Sequence, residues 1–75
     1  MKKTINQKVI IDSAFALNAK DFAKFLDTNK ISWDILDSDN MLDYNEGFFN
    51  IEVWKGKFMA TILFQDGELV TLEKQ

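Results

Sequence analysis

From Phe48 to Leu72 the apolar positions fall into three alternating runs, FFNIEVW, KFMATILF and ELVTL, separated by KG and QDG. Alternating runs joined by short glycine-bearing turns predict an antiparallel meander. A two-residue turn at Lys55-Gly56 sets Val53 opposite Phe58, Ile51 opposite Ala60 and Phe49 opposite Ile62, giving one wholly apolar face. The other face is mixed, with Phe48, Asn50, Glu52 and Trp54 opposite Leu63, Thr61, Met59 and Lys57. At the second turn, a two-residue Asp66-Gly67 loop would carry Thr71 and Glu73 onto the apolar face. A three-residue Gln65-Asp66-Gly67 loop, with a left-handed Gly67 in a bulge, avoids this by pairing Ile62 with Val70 and Ala60 with Leu72. That register is preferred, and it leaves Met59 opposite Glu73.

Upstream, the odd positions Val9, Ile11, Phe15 and Leu17 are apolar while Lys8 and Asp12 are even, so Lys8 to Leu17 reads as a strand with one buried face. The competing reading is a helix starting at Ser13 with Asp12 as its cap. The strand is preferred because a better helix start follows at Asn18-Ala19-Lys20-Asp21, a cap with an acid three residues on. A helix from Asn18 to Thr28 then buries Ala19, Phe22, Ala23 and Leu26, with Phe25 at the edge. Thr28-Asn29-Lys30 closes it, Asn tolerating the left-handed cap and Lys suiting the negative end of the helix dipole. Ile31 to Leu36 returns to alternation, with Trp33 assigned to the core. The connection Asp37 to Gly47, DSDNMLDYNEG, exceeds the few residues usual between strands, so it is mobile, folded into a helical turn, or functional. These elements define an α+β fold: one helix packed across a four- to five-stranded, mainly antiparallel sheet, in the order β-α-β-β-β-β. They form a single small domain over residues 1–75, with residues 1–6 frayed. Burying Phe22, Phe25 and Leu26 against Phe49, Ile51, Phe58 and Ile62 contributes about 1.5 to 3 kcal/mol per large side chain.

Composition narrows the chemistry. Seventy-five residues lie near the lower limit for a single unstapled core. The absence of Cys and His excludes thiol catalysis, disulfides and the usual zinc ligand sets, and fits a cytoplasmic location. Met1-Lys2-Lys3 is like the start of a signal peptide, but the apolar run behind it, Val9 to Ile11, is too short for a signal core or a membrane span. All nine basic residues are Lys, as an AT-rich genome would favour. The side chain that forks onto phosphates and guanine edges is therefore missing. With a net charge of −3, direct nucleic-acid binding is disfavoured.

Charge is unevenly spread. Asp34, Asp37, Asp39, Asp43, Glu46 and Glu52 follow one another between Ile31 and Trp54 without a basic residue, interleaved with Trp33, Met41, Leu42, Tyr44, Phe48 and Trp54. Such a segment suits docking on a basic surface, charge steering the approach and aromatic residues anchoring it. The plainer alternative is a solvated loop whose acids keep a small domain dispersed. An EF-hand beginning at Asp37 fails, because Met41, Leu42 and Phe48 stand where an oxygen ligand, Gly and Glu are required, so no metal or other cofactor is expected. Carboxylate chemistry is the one enzyme class that the residue inventory permits in ordinary form, and Glu52 and Glu73, flanking Met59 on neighbouring strands, approach the spacing used by glycosidases. A chain this small has no cleft to desolvate them, and Ser13 and Tyr44 lack a His, so no enzyme is expected. Trp54 either stacks under Lys57 or joins Met59, Phe48, Leu63 and Leu69 in an apolar patch.

The leading expectation is a cytoplasmic, non-enzymatic protein-binding module that acts as an inhibitor. It docks on a basic, nucleic-acid-handling site of a partner protein through Asp34, Asp37, Asp39, Asp43, Tyr44, Glu46, Glu52, Trp54 and Met59, the acids imitating phosphate spacing. In size it is similar in type, though not in any motif, to small inhibitors made by phages and mobile elements against host defences. The alternative is a homodimer, or a subunit of a larger assembly, joined through the mixed sheet face. No membrane partner is expected.

Overall fold

A computed structural model describes residues 5–75. Its first element overturns the strand expected over Lys8 to Leu17, because that stretch is a helix, α1 (Gln7–Ala16). The odd-position alternation was incomplete: Ile10 and Ala14 are apolar at even positions, and these two, four apart on one helical face, are fully buried. The Asn6 side chain caps the helix by accepting the Val9 N–H at 3.1 Å. Asp12 is therefore an interior residue, and Phe15, on the outer face, is 71% exposed. Of the residues expected to fray, 1–4 lie outside the described residues, whereas Ile5 packs on the core and Asn6 is the cap. On the outer face Asp12 pairs with Lys8 at 2.8 Å and raises the Lys8 pKa, a solvated contact of little worth to stability.

The second helix, α2 (Ala19–Thr28), begins where expected. Asn18 Oδ1 accepts the Asp21 N–H at 2.8 Å, while its side-chain amide donates to the Asp21 carboxylate at 3.2 Å. Ala19, Phe22, Ala23 and Leu26 are buried. The left-handed residue at its end is Lys30, with φ 56°, rather than Asn29, whose side-chain amide donates to the Phe25 carbonyl instead. Lys30 N–H donates to the Asp27 carbonyl and Ile31 N–H to that of Leu26, a Schellman closure in which buried Ile31 and Leu26 supply the apolar contact.

Both helices cover one face of a four-stranded antiparallel sheet, β1 (Ser32–Ser38), β2 (Phe48–Lys55), β3 (Phe58–Gln65) and β4 (Glu68–Lys74), with strands adjacent in chain order. The order is thus α-α-β-β-β-β, and no fifth strand exists among the described residues. The class, α+β, is as expected.

Two registers differ in detail. At the β2–β3 turn Gly56 (φ 61°) and Lys57 are the central residues, so Val53 faces Ala60, Ile51 faces Ile62 and Phe49 faces Phe64. Glycine thereby takes the first turn position, where φ is positive. The expected Lys55-Gly56 turn would have asked this of a lysine. The shift is two residues, so the same faces are buried, but Phe64 replaces Phe58 opposite Phe49. At the β3–β4 turn Asp66 (φ 52°) and Gly67 (φ 86°) form a two-residue loop in place of the expected three-residue Gln65-Asp66-Gly67 loop. An extra residue, Val70, then shifts the register, so that Phe64 faces Leu69 but Leu63 faces Thr71, Ile62 faces Leu72 and Thr61 faces Glu73. The bulge is real but sits in the strand rather than at the turn, and it removes the polarity conflict. A second bulge, at Leu36, interrupts β1 between Ile35 and Asp37. Leu69 packs on the core and so leaves the expected outer patch.

Phe49 lies at the centre of the core, with its ring 6.1 Å from Trp33, 6.2 Å from Phe64 and 4.2 Å from Tyr44. Trp33 is half-buried at the rim, and its indole N–H donates to the Asp27 carboxylate at 2.8 Å.

Candidate docking surface

Alternation along paired strands assigns every second residue to the side away from the helices. Four cross-strand rows result there: Ser32, Trp54 and Met59; then Asp34, Glu52, Thr61 and Glu73; then Asp37, Asn50, Leu63 and Thr71; then Phe48, Gln65 and Glu68. Trp54, Met59 and Leu63 are each half-buried, and among the described residues no element lies across them. Gln75 closes the β4 edge of this face, its N–H donating to the Met59 carbonyl and its amide to the Thr61 hydroxyl at 3.1 Å.

No described lysine belongs to this face. Lys8, Lys20 and Lys24 are on the helices, Lys30 closes α2, Lys55 and Lys57 flank Gly56, and Lys74 pairs with Ala60 on the helix side. The only ion pair among the described residues is Lys8–Asp12. Asp34 and Glu52, by contrast, are direct cross-strand partners, with Cβ atoms about 5 Å apart, an arrangement that costs stability.

The connection between β1 and β2, residues 39–47, is pinned at both ends. Asp39 and Phe48 exchange bonds: the Asp39 N–H donates to the Phe48 carbonyl and the Phe48 N–H to the Asp39 carboxylate, each at 2.9 Å. Within the loop, Asn40 Oδ1 accepts the Leu42 N–H at 2.8 Å and Asp43 Oδ1 accepts the Asn45 N–H at 3.0 Å, forming two Asx turns. Outward ties follow: Asn45 Oδ1 accepts the Lys20 N–H at 3.0 Å, and Gly47 and Asp66 exchange bonds of 3.0 and 2.8 Å. Gly47 has φ 74°, and a Cβ there would overlap the Asp39 carboxylate, so the clasp requires glycine. The result is an ordered loop held against the α2 N-terminus and the β3–β4 turn, with Met41 60% and Leu42 97% exposed at its tip.

The expected site residues therefore divide. Asp34, Asp37, Glu52, Trp54 and Met59 share the open face, while Asp39, Asp43, Tyr44 and Glu46 belong to the connection. The Asp39 and Asp43 carboxylates brace backbone N–H groups, and Tyr44 stacks on Phe49 at 4.2 Å, so its ring supports the loop from beneath. Glu73 joins the acidic row from the far end of the chain, and no local pattern around it signals this. Glu52 and Glu73 flank Thr61, not Met59. Two strands apart on an open surface, they lie about 10 Å from one another across the sheet. A shallow cleft of about 270 Å³ lies between the end of α1 and the β3–β4 turn, lined by neither member of that pair. No group of acids among the described residues is arranged to hold a metal ion.

Fold and face together define a two-layer α+β domain with one sheet surface left open. No protein-family model, curated protein or solved structure matches the chain. No helix among the described residues is long and apolar enough to cross a membrane.

Proposed function

We propose that this chain is a non-enzymatic protein-binding module, an inhibitor of the phage or mobile-element type that occupies a basic, nucleic-acid-handling site on a partner protein. The observation that carries the reading is the acidic row Asp34, Glu52 and Glu73 beside Trp54 and Met59, on a face without a described lysine. Within the free molecule none of these carboxylates has a cationic partner among the described residues, and they repel one another. Against a cationic surface the same repulsion is relieved, long-range attraction speeds encounter, and the indole and thioether supply the desolvated contact.

The test is affinity isolation from the native host with wild-type protein and with Asp34→Lys/Glu52→Lys. A partner held by wild type alone, released between low and moderate salt and displaced by added DNA or RNA, supports the reading. Retention that is insensitive to salt, or unchanged in the charge-reversed protein, counts against it.

The half-exposed Trp54, Met59 and Leu63 favour one other reading, a homodimer or assembly subunit joined through this same face. Sedimentation separates the two: self-association of wild type that is lost in Trp54→Ala belongs to the second.

A further inference from the structure

The two ends of the sheet carry opposite charge. Where β1 ends, the 39–47 connection, the Asp66-Gly67 turn and the first turn of α2 carry Asp21, Asp39, Asp43, Glu46 and Asp66 against one lysine, Lys20. At the other end the links between elements carry Lys30, Lys55 and Lys57, and β4 finishes at Lys74, four lysines against Asp27 and Glu73. The molecule is therefore dipolar along its strands, and a positively charged partner draws the loop end forward.

At the front of that end stand Met41 and Leu42, 60% and 97% exposed. Folding gains nothing from apolar side chains left in water, yet the loop that displays them is fixed by the Asp39–Phe48 and Gly47–Asp66 exchanges and by Asn45 on the α2 backbone. We infer that Met41 and Leu42 are the anchor of the binding module, and that their occupant is an apolar pocket on a protein, rimmed by lysine or arginine side chains. This rests on the proposed binding role and specifies where contact is made.

Charge complementarity selects that occupant. The connection carries Asp39, Asp43 and Glu46 and no basic residue, so a neutral or acidic pocket that accepted Leu42 would leave these charges unpaired or bring like charges together, whereas a basic rim pairs them. Because the tip is already ordered, little conformational freedom remains to be lost on binding.

Two defined polymers test this, poly-L-lysine and a random lysine–phenylalanine copolymer, titrated at moderate salt into wild type, Met41→Ser/Leu42→Ser and Phe15→Ser. Thermal melts followed by circular dichroism confirm that each variant is folded. Wild type is expected to bind the copolymer about tenfold or more tightly than poly-L-lysine, the advantage due to a buried anchor. Met41→Ser/Leu42→Ser is expected to lose that advantage while binding poly-L-lysine as before, and Phe15→Ser, which removes an equally exposed apolar side chain from α1, to keep it. The inference is overturned if wild type shows no preference for the copolymer, or if the preference survives in Met41→Ser/Leu42→Ser; either result leaves the basic-partner reading standing. Absence of binding to both polymers even at low salt overturns that reading, and the inference with it.

Discussion

Lys30 holds a conformation that its side chain disfavours. At φ 56° it occupies the position that glycine usually takes at the end of a helix. Lys30→Gly is expected to stabilise the fold by about 0.5 to 1 kcal/mol, read as a rise of a few degrees in the melting temperature. No change, or a loss, would mean that the lysine stem contributes packing that outweighs the strain. The contrast with Asn18 shows which residue-level features the sequence makes legible. Asn18 caps α2 because cap and acid lie three residues apart and need nothing else. Asn29 was the better candidate for the left-handed site by type, but its amide finds the Phe25 carbonyl, and the following residue is left to make the turn.

Among the elements, α1 was the one misread, and the reason is specific. Period-two and period-3.6 patterns are hard to separate over a short apolar stretch, and Val9, Ile11, Phe15 and Leu17 satisfied the first well enough to hide the buried pair Ile10 and Ala14. The two readings assign opposite burial to Ile10 and Phe15, so a pair of truncations distinguishes them. Ile10→Ala is expected to cost about 2 to 4 kcal/mol in denaturant unfolding, since a fully buried side chain is lost. Phe15→Ala should fall within about 0.5 kcal/mol of wild type. The reverse order of costs would restore the strand. The meander was legible in outline because alternation and glycine positions mark strands and turns, and because a two-residue error in register conserves the faces. Where an extra residue enters a strand was not legible: Leu36 and Val70 are ordinary strand formers, and only the paired strand reveals that each is unmatched.

Taken whole, the molecule separates its charges by layer and by end, and folding rearranges what the sequence shows as one acidic stretch. Part of that stretch goes to the open face, part to the loop, and Glu73 arrives from β4 to extend the row. The reading of an acidic, aromatic-bearing surface came from local sequence; its division into a face and a tip depends on long-range pairing that no local pattern encodes. Because Asp34 and Glu52 are direct neighbours, Glu52→Lys is expected to raise stability by a few tenths of a kcal/mol at low salt, with the gain shrinking as salt screens it. The same substitution is expected to weaken partner binding. A variant that is more stable and less able to bind would mark the row as retained for recognition, whereas a loss of stability would show that the cross-strand carboxylates are better accommodated than their pairing implies.

The two bulges lead to one more consequence. Removing Val70 or Leu36 from the chain would leave perfect alternation in β4 and β1, with the same residues facing the helices, so neither is needed to sort polar from apolar. Each lies in an outermost strand, where an irregular backbone makes a poor template for a further strand from another molecule. Deleting both is expected to give a protein with native-like circular dichroism that polymerises edge to edge, followed by light scattering as concentration rises. If that protein stays dispersed, something other than these surplus residues keeps neighbouring copies from adding to the sheet.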